Sequence, residues 1–293
     1  MTDRTPRLDR ASELRRDTDR LMAALDVPET LLVPVHRDQS LVVLGSEPRA
    51  VLLDARGASG LVDVASEIVW LGRIGARDCF AIDISQVERP ESHTALVGRG
   101  EFADLRMAGG LLPAEEAEVL AYARGMLYWH RRHRYCGSCG RRTKPREGGH
   151  MRECVDENLK HFPRTDPAVM VLVSHGERCA LARQHGWPEG MFSVVAGFVE
   201  PGESTEDAAV REVKEELGLR IDALRYFRSQ PWPFPSSLMI GFFAETNDES
   251  LVIDATELEE ARWVTRADLR EPRGFFYPPP YSLAHHMIRA FVG

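Results

Sequence analysis

The most informative stretch of this chain reads Gly197-Phe-Val-Glu-Pro-Gly-Glu203-Ser-Thr-Glu-Asp-Ala-Ala-Val-Arg211-Glu212-Val-Lys-Glu215-Glu216-Leu-Gly218-Leu219. Ser204, followed three residues later by Asp207, is typical of a helix start, because a serine hydroxyl accepts a hydrogen bond from a backbone N–H of the first turn. Gly218 is typical of a helix stop, because glycine adopts the left-handed conformation at little cost. The pattern predicts a short, well-bounded helix over residues 204–217.

Three glutamates of this predicted helix, Glu212, Glu215 and Glu216, stand at positions i, i+3 and i+4. This spacing predicts that their carboxylates share one helix face, and because like charges repel, we expect a positive charge beside them. Hard divalent cations such as Mg²⁺ or Mn²⁺ prefer carboxylate and phosphate oxygens, which indicates metal-assisted phosphoryl chemistry. The alternative is a solvated charged face in which Arg211 pairs with Glu215.

The complete spacing resembles the Nudix box, Gly-x5-Glu-x7-Arg-Glu-(apolar)-x-Glu-Glu-x-Gly-(apolar). Its fixed positions are all filled here, by Gly197, Glu203, Arg211, Glu212, Val213, Glu215, Glu216, Gly218 and Leu219. The resemblance implies an α+β fold, an αβα sandwich around a mixed sheet. It also implies hydrolysis of a diphosphate that is joined to a nucleoside.

The same resemblance implies a role for each charged residue of the box. Glu212 and Glu216 are expected to be the chief ligands of Mg²⁺ or Mn²⁺, with Glu215 beside them, and all three are expected to be catalytic. Glu203 and Arg211 are expected to brace the loop and the helix. The structural positions of the motif are Gly197, Glu203, Arg211 and Gly218.

A strip rich in proline and aromatic residues follows the box, Ser229-Gln-Pro-Trp-Pro-Phe-Pro-Ser-Ser237. Its three prolines lack backbone N–H donors, so the strip is expected to form a stiff edge and not a central strand. Trp232 and Phe234 are then rigid aromatic faces, suited to stacking on a planar base or a nicotinamide ring. Polar contacts are expected from Ser229, Gln230 and Ser237. The alternative is a proline-rich ligand for a partner module.

This strip is similar to the one in the NADH pyrophosphatase subfamily of Nudix hydrolases. That resemblance implies an N-terminal domain, a zinc ribbon, a C-terminal Nudix domain and a homodimer in which both chains shape the pocket. It implies hydrolysis of NADH or NAD⁺ to nicotinamide mononucleotide, reduced or oxidised, and AMP. The substrate-binding residues implied by the strip are Gln230, Pro231, Trp232, Pro233, Phe234, Pro235, Ser236 and Ser237.

Four residues outside the two motifs match further positions of the subfamily. Phe162 matches an aromatic residue that stacks on the nucleotide, and Glu257 matches an outlying metal-binding glutamate. Ala284 matches a backbone contact to the substrate. Arg106 matches a substrate contact from the N-terminal side.

Cys136-x-x-Cys139, followed by Cys154, has the spacing of a zinc ribbon. The fourth position falls on Glu157, where the subfamily has cysteine. Glu157 is one candidate for the fourth ligand, and His150 and His161 are two others, since zinc accepts oxygen and nitrogen donors. The zinc is expected to be structural. The alternative is a loop that folds without metal.

The 293 residues carry a formal net charge of −8, which argues against a dedicated DNA-coating protein. No apolar run is long enough to span a membrane, and Asp3, Arg4 and Arg7 begin a segment of mixed charge that does not resemble a signal peptide, so a cytoplasmic protein is expected.

We expect a β-rich N-terminal domain ending in a helix at 1–130, a zinc-ribbon-like segment at 131–163 and a Nudix domain at 164–293.

A basic run lies around the first two ribbon cysteines and consists of Arg131, Arg132, Arg134, Arg141, Arg142, Lys144 and Arg146. It is either a solvated collar around the ribbon or a surface that attracts phosphate. Phosphate attraction would favour a second activity, the removal of NAD caps from RNA. A third possibility is a non-catalytic sensor of NAD or ADP-ribose, against which the intact glutamates of the box argue.

Overall fold

A computed structural model describes residues 8–293, so Asp3, Arg4 and Arg7 lie outside the described residues. The chain divides into two compact units. The first unit comprises Met1–Arg164 and Pro233–Pro235, and the second comprises Thr165–Trp232 and Ser236–Gly293. Each unit has its own sheets and its own buried cores.

The first unit contains a large, mostly antiparallel sheet. Its strands are β1 (Leu8–Asp9), β2 (Leu31–His36), β3 (Gln39–Val43), β4 (Arg49–Ala50), β5 (Leu53–Asp54), β6 (Glu67–Ile74), β7 (Arg77–Asp83) and β8 (Glu101–Ala103). Six of them follow the order β1-β6-β7-β2-β3-β4, while β5 pairs with β2 and β8 pairs with β3. Strands β2 and β7 form a parallel pair.

Helices cover both faces of this sheet. They are α1 (Thr18–Leu25), α2 (Ala55–Asp63), α3 (Leu105–Ala108) and α4 (Ala114–Arg132), and three short 3-10 helices span Ser12–Arg16, Pro90–Ser92 and Glu147–Gly149. Val33 of β2 belongs to the core that contains Leu120 of α4, whereas its neighbour Leu32 belongs to the core that contains Leu61 of α2. Alternate side chains of one strand point to opposite faces, so both layers are anchored by the same strand.

The ribbon segment contributes a small second sheet to the first unit. It consists of β9 (Thr143–Arg146), β10 (Met151–Cys154) and β11 (Lys160–His161), in the order β11-β10-β9. Arg152 of β10 is buried and donates hydrogen bonds to Glu67 at 2.9 Å, to Thr143 at 2.8 Å and to Nδ1 of His130 at 2.7 Å. This buried network ties the ribbon to β6 and α4, because each group in it would lose hydrogen bonds if the ribbon separated.

The second unit is a mixed sheet between helices. Its strands are β12 (Asp166–His175), β13 (Arg178–Gln184), β14 (Val195–Phe198), β15 (Ala223–Trp232), β16 (Ser237–Glu245) and β17 (Leu258–Thr265). Its helices are α5 (Thr205–Leu217), α6 (Arg266–Arg270) and α7 (Leu283–Val292). The sheet order is β15-β16-β12-β13-β17, with β14 paired to β12, and β12 runs parallel to β16.

Alternation along β12 creates the αβα sandwich. Val171 faces the core that contains Val213 of α5, whereas the next residue, Leu172, faces the core that contains Met287 and Ile288 of α7. The apolar sides of both helices are buried on opposite faces of one sheet. Because β15 is an edge strand of this sheet, the strip that ends it lies at an edge.

The predicted fold class is confirmed: the chain is α+β, with an αβα sandwich, a small ribbon sheet and a sheet-rich N-terminal region. The helix predicted at the end of the N-terminal domain spans Ala114–Arg132. Helices α1 and α2 were not predicted, because each spans no more than nine residues. In residues 8–293, no helix combines the length and apolar character needed to cross a membrane.

Candidate active site

Helix α5 begins and ends at its predicted capping residues. The Ser204 side chain accepts a hydrogen bond from the backbone N–H of Asp207 at 3.1 Å, and its hydroxyl donates to the Asp207 carboxylate at 2.6 Å. At the other end, Gly218 has a φ of 70°, and its N–H donates to the carbonyl of Lys214. These caps satisfy backbone groups that have no partner within a short helix. The glutamates of the helix therefore project from a well-defined frame.

Arg211 ties this helix to the loop that precedes it. Its guanidinium donates two hydrogen bonds to Glu203, at 2.8 and 2.9 Å, and one to the backbone carbonyl of Phe198 at 2.9 Å. It also donates to Glu212 at 2.8 Å and to Glu215 at 3.0 Å. Hydrogen bonds led by those from Arg211 lower the pKa of Glu203 to about 2. The loop is thus held by a charge-assisted, bidentate pair.

Gly197 lies directly against the carboxylate of Glu212. A Cβ atom on residue 197 would come within 1.9 Å of the Glu212 carboxyl carbon and of one of its oxygens. The backbone has little freedom to move away, because Gly197 is paired with Val169 in the ladder between β12 and β14. The glycine that opens the motif therefore provides the space in which this carboxylate lies.

Two carboxylates of α5 are buried, which differs from the solvated charged face considered as an alternative above. Glu212 is 8% exposed and Glu216 is 2% exposed, whereas the Glu215 side chain is 57% exposed. Burial raises the pKa of Glu216 to about 8, and repulsion from Glu212, Glu257 and Glu215 adds to the increase. Burial also raises the pKa of Glu212, although its contact with Arg211 opposes this.

The four glutamates form an acidic cluster, defined here as Glu212, Glu215, Glu216 and Glu257. Arg211 neutralises only part of its negative charge. Among residues 8–293, the group whose donor atoms are already placed to hold one metal ion lies in the ribbon, so a cation would have to draw the carboxylates of the acidic cluster together. Oxygen donors with uncompensated charge fit a hard divalent cation, which would attract them and relieve their repulsion.

A cavity of about 360 Å³ borders the acidic cluster at Glu216. Three other predicted site residues line it: Gln230, Trp232 and Ala284. Most of the wall is apolar, with an aromatic ring at Trp232. Because Glu216 belongs both to the cavity wall and to the acidic cluster, a molecule in the cavity lies next to the carboxylates.

Several residues of the cavity wall were not predicted. Two are aromatic, Trp187 and Tyr281, and three are the methionines Met170, Met191 and Met239. Trp187 lies in the loop between β13 and β14, and no local pattern marks it. The run Pro278–Pro280 before Tyr281 was the available signal, since consecutive prolines stiffen the backbone around the next residue.

Most of the strip does not line the cavity. The strip residues absent from its wall are Ser229, Pro231, Pro233, Phe234, Pro235, Ser236 and Ser237. Ser237 pairs with Trp232 in the ladder between β15 and β16, and the Ser236 hydroxyl donates to the carboxylate of Asp166 at 2.8 Å. These residues hold the hairpin together, and Trp232 alone presents an aromatic ring of the strip to the cavity.

Phe234 lies beside two arginines. It belongs to the first unit, where the guanidinium carbons of Arg106 and Arg124 lie 5.3 and 4.8 Å from its ring centroid. Arg124 also donates a hydrogen bond to the Pro233 carbonyl. Phe162 is in the first unit as well, and it is 62% exposed. The ring of Phe234 packs in the first unit through cation–π contacts.

The ribbon brings its predicted ligands together. Ligand atoms of Cys136, Cys139, Cys154 and Glu157 all lie within 4.8 Å of one another. The Sγ atoms of Cys139 and Cys154 are 3.5 Å apart, and Cys136 Sγ is 3.8 Å from Glu157 Oε2. Tetrahedral zinc with Zn–S bonds of about 2.3 Å has sulfur atoms about 3.8 Å apart, so these donors fit a zinc ion.

The two histidine candidates are not part of this group. His150 Nε2 bonds to the backbone carbonyl of Trp70 at 2.7 Å. His161 pairs with Arg152 between β10 and β11. Within the described part of the ribbon, the group that could hold a metal ion contains neither ring.

Three of the seven residues of the basic run are paired with carboxylates within the first unit. Three of its arginines form ion pairs, Arg131 with Asp38 and Asp83, Arg141 with Asp156, and Arg146 with Glu153. Arg132 and Arg142 lie over the rings of Tyr128 and Tyr135, each 5.7 Å from the ring centroid. These pairs favour the collar interpretation, because a paired arginine attracts phosphate less strongly.

Family comparisons agree with this architecture. The model of the NUDIX domain matches residues 164–284, and the model of the NADH pyrophosphatase-like rudimentary NUDIX domain matches residues 29–129. The model of the NADH pyrophosphatase zinc ribbon domain matches residues 131–162. The chain belongs to the Nudix hydrolases and is an enzyme of that family.

Curated relatives define the type within the family. The chain is 40% identical to the NAD-capped RNA hydrolase NudC of Mycobacterium bovis, over 89% of this chain and 82% of that protein. It is 36% identical to the human NAD(P)H pyrophosphatase NUDT13, over 75% of this chain and 66% of that protein. It is 42% identical over 62% of its length to the NAD-capped RNA hydrolase NUDT12 of Macaca fascicularis, and spans 43% of that relative. It is a Nudix hydrolase of the NADH pyrophosphatase type, with a zinc ribbon.

Gly197→Ala is expected to lower kcat for a nucleoside diphosphate derivative by a factor of about 10² or more, because the added methyl group displaces the Glu212 carboxylate. Steady-state kinetics at saturating Mg²⁺ measure this loss, and circular dichroism checks the fold. Gly57→Ala is the matched control, because a Cβ there has only the tip of Arg99 within 4 Å, at 3.9 Å. A wild-type kcat for Gly197→Ala would show that the carboxylate does not need this space.

Glu216→Gln is expected to abolish most turnover, by a factor of about 10² or more, and to stabilise the protein at alkaline pH. Below about pH 4.5 the Glu216 carboxyl is protonated in both the folded and the unfolded chain. As the pH rises from 4.5 to about 8, only the unfolded chain loses this proton, so the wild type is progressively destabilised. Above that range the penalty is constant.

Melting temperatures of the two proteins, recorded between pH 5 and pH 9 without added divalent cation, measure this effect. The variant should melt at a higher temperature than the wild type at about pH 9, and the difference should shrink towards about pH 5. Equal melting temperatures across this range would contradict the buried, raised-pKa carboxyl.

Proposed function

We propose that this protein hydrolyses the pyrophosphate bond of NADH or NAD⁺, giving nicotinamide mononucleotide, reduced or oxidised, and AMP. The main support for the proposal is the position of Glu216, which belongs to the acidic cluster and also lines the apolar, aromatic cavity. A dinucleotide has planar rings for the cavity and a diphosphate for the carboxylates. The names of the relatives, NAD(P)H pyrophosphatase and NAD-capped RNA hydrolase, support the same substrate class.

The residues of the acidic cluster would have two roles, cation binding and proton transfer. Glu212, Glu216 and Glu257 would hold Mg²⁺ or Mn²⁺, and the cation, when bound, neutralises diphosphate charge and activates water. Glu216 or Glu215 would accept the proton of the attacking water. Glu216 would act as the base only once a cation has displaced its own proton, because its pKa of about 8 without the cation keeps the carboxyl protonated near neutral pH. Arg211 donates hydrogen bonds to both Glu203 and Glu212 and so fixes the position of the loop relative to the helix.

Substrate recognition would depend on the cavity and on residues that the subfamily resemblance implies. Trp232 would stack on a base or the nicotinamide ring, and the backbone at Ala284 would contact the substrate. Phe162 and Arg106, which belong to the first unit, stay candidates for contact with the substrate. The other residues of the strip would bind substrate indirectly, by fixing the backbone that positions Trp232. They are Gln230, Pro231, Pro233, Phe234, Pro235, Ser236 and Ser237.

The ribbon would carry one structural zinc ion on Cys136, Cys139, Cys154 and Glu157. A site with four protein ligands has no open position for water, so a catalytic role is not expected. We propose the domain boundaries 1–130, 131–163 and 164–293. A homodimer and a cytoplasmic location also stay proposals, which rest on the subfamily resemblance and on the charged composition.

Removal of NAD caps from RNA is the second candidate activity. Two relatives are named NAD-capped RNA hydrolases, which favours it, and the chemistry is the same cleavage of a pyrophosphate bond. The ion pairs of the basic run weaken the case for a strong RNA-binding surface beside the ribbon. A non-catalytic NAD or ADP-ribose sensor is disfavoured, because Glu212, Glu215 and Glu216 are all present.

Product analysis tests the proposal directly. The protein is incubated with Mg²⁺ or Mn²⁺ and, separately, with NADH, NAD⁺, ADP-ribose and NAD-capped RNA, and products are separated by chromatography. We expect AMP and reduced nicotinamide mononucleotide from NADH. Binding of these substrates with no cleavage of any would support the sensor instead.

Trp232→Ala is expected to raise KM for NADH about tenfold, because a stacking surface is lost while the acidic cluster is unchanged. Cleavage of a dialkyl diphosphate, which has no ring to stack, should keep its kcat/KM. Steady-state kinetics with both substrates separate the two effects. Equal losses on the two substrates would indicate that Trp232 is structural.

Protein purified without added metal is expected to contain about one zinc ion per chain, which elemental analysis measures. Glu157→Cys should slow the loss of zinc to a chelator, because thiolates hold zinc more strongly than carboxylates do. Glu153→Cys, on the neighbouring strand but outside the ligand group, is the control and should not slow it. Zinc-free protein with unchanged stability would show that the ribbon is held by packing alone.

A further inference from the structure

We propose that Tyr281 is a second stacking residue of the active site, and that with Trp232 it holds one planar ring of the dinucleotide substrate. The inference rests on the proposed function and extends it to a residue outside the family motifs. Tyr281 would contribute to substrate binding, whereas the acidic cluster would bind the cation and catalyse the hydrolysis.

Trp232 and Tyr281 present two rings to the same cavity. The rings of Trp232 and Tyr281 are nearly parallel, with an interplanar angle of 14° and centroids 6.4 Å apart, and both line the cavity. Aromatic carbons pack at about 3.5 Å, so a ring between two parallel rings needs about 7 Å. The centroid separation is shorter than that value, so the two side chains must move apart by at least about 0.6 Å to admit a base or a nicotinamide ring.

The strand that carries Trp232 also fixes the backbone of Tyr281. The Gln230 side-chain amide donates to the Tyr281 carbonyl at 2.6 Å, and its oxygen accepts from the Leu283 backbone N–H at 2.7 Å. Gln230 precedes Trp232 by two residues on β15. One amide side chain thus sets the spacing between the two segments, which makes Gln230 a positioning residue.

The segment around Tyr281 is stiff on both sides. Pro278–Pro280 precede it, and each proline fixes its own φ angle. Ser282 follows it and caps helix α7, accepting from the His285 N–H at 3.2 Å and donating to the Pro279 carbonyl at 2.9 Å. A ring held on such a segment loses little further conformational freedom when a ligand binds, which favours stacking.

The rest of the wall indicates what the cavity accepts. Met170, Met191 and Met239 provide soft apolar contacts that adapt to a flat ligand. Among the described residues that line the cavity there is no lysine or arginine, and the one carboxylate is Glu216. The cavity therefore suits an uncharged or cationic planar ring, with the phosphates directed to the acidic cluster.

Kinetics of three variants test the role of Tyr281. Tyr281→Leu keeps an apolar side chain but has no ring, and we expect a KM for NADH about tenfold above wild type with little change in kcat. Tyr281→Phe keeps the ring and should stay within about twofold of wild type. Tyr226→Leu, at an exposed tyrosine of the same unit outside the cavity, is the matched control and should leave KM unchanged.

Equilibrium binding of the two products, measured by calorimetry, separates this inference from the proposed activity. Tyr281→Leu should bind AMP or reduced nicotinamide mononucleotide about tenfold more weakly than wild type, and the product affected identifies the ring that stacks. Wild-type binding of both products by Tyr281→Leu would overturn the inference, as would equal weakening by Tyr281→Phe. If the wild type cleaves no dinucleotide but the ring still governs product binding, the proposed function fails and the stacking role stands.

Discussion

Two buried carboxylates on one turn of helix α5 are the constraint on which the active site depends. An ionised carboxylate out of water is costly unless it is paired, so Glu212 and Glu216 need specific surroundings. Gly197 leaves space for Glu212, and Arg211 reaches it while holding the preceding loop. The pattern of the box is therefore a set of contacts that hold two carboxyl groups where a cation can bind them.

The acidic cluster and the cavity become one site because Glu216 belongs to both. On one side of it are oxygen donors for a cation, and on the other are the rings of Trp232 and Tyr281. A substrate with a flat ring a few bonds from a diphosphate spans these two surroundings. Binding of the ring then positions the bond to be broken, which is how binding energy away from the reaction lowers its barrier.

Local patterns in the sequence were sufficient for some features and not for others. Caps such as Ser204 and Gly218 act within one turn, so the bounds of α5 could be predicted. The burial of Glu216 could not, because it depends on how α5 packs on the sheet. Phe234 and Tyr281 show the same limit: their neighbours are distant in sequence, so no spacing rule identifies which ring faces the cavity.

Calorimetric titration of Mn²⁺ into the zinc-loaded protein, in two buffers of different ionisation enthalpy, tests the central claim most directly. Because the pKa of Glu216 is raised to about 8, the carboxyl carries its proton at neutral pH and must lose it to bind a cation. We expect release of about one proton per ion at about pH 7, falling towards zero at about pH 9. Cation binding at neutral pH with no proton release would contradict a buried, protonated carboxyl at the centre of the site.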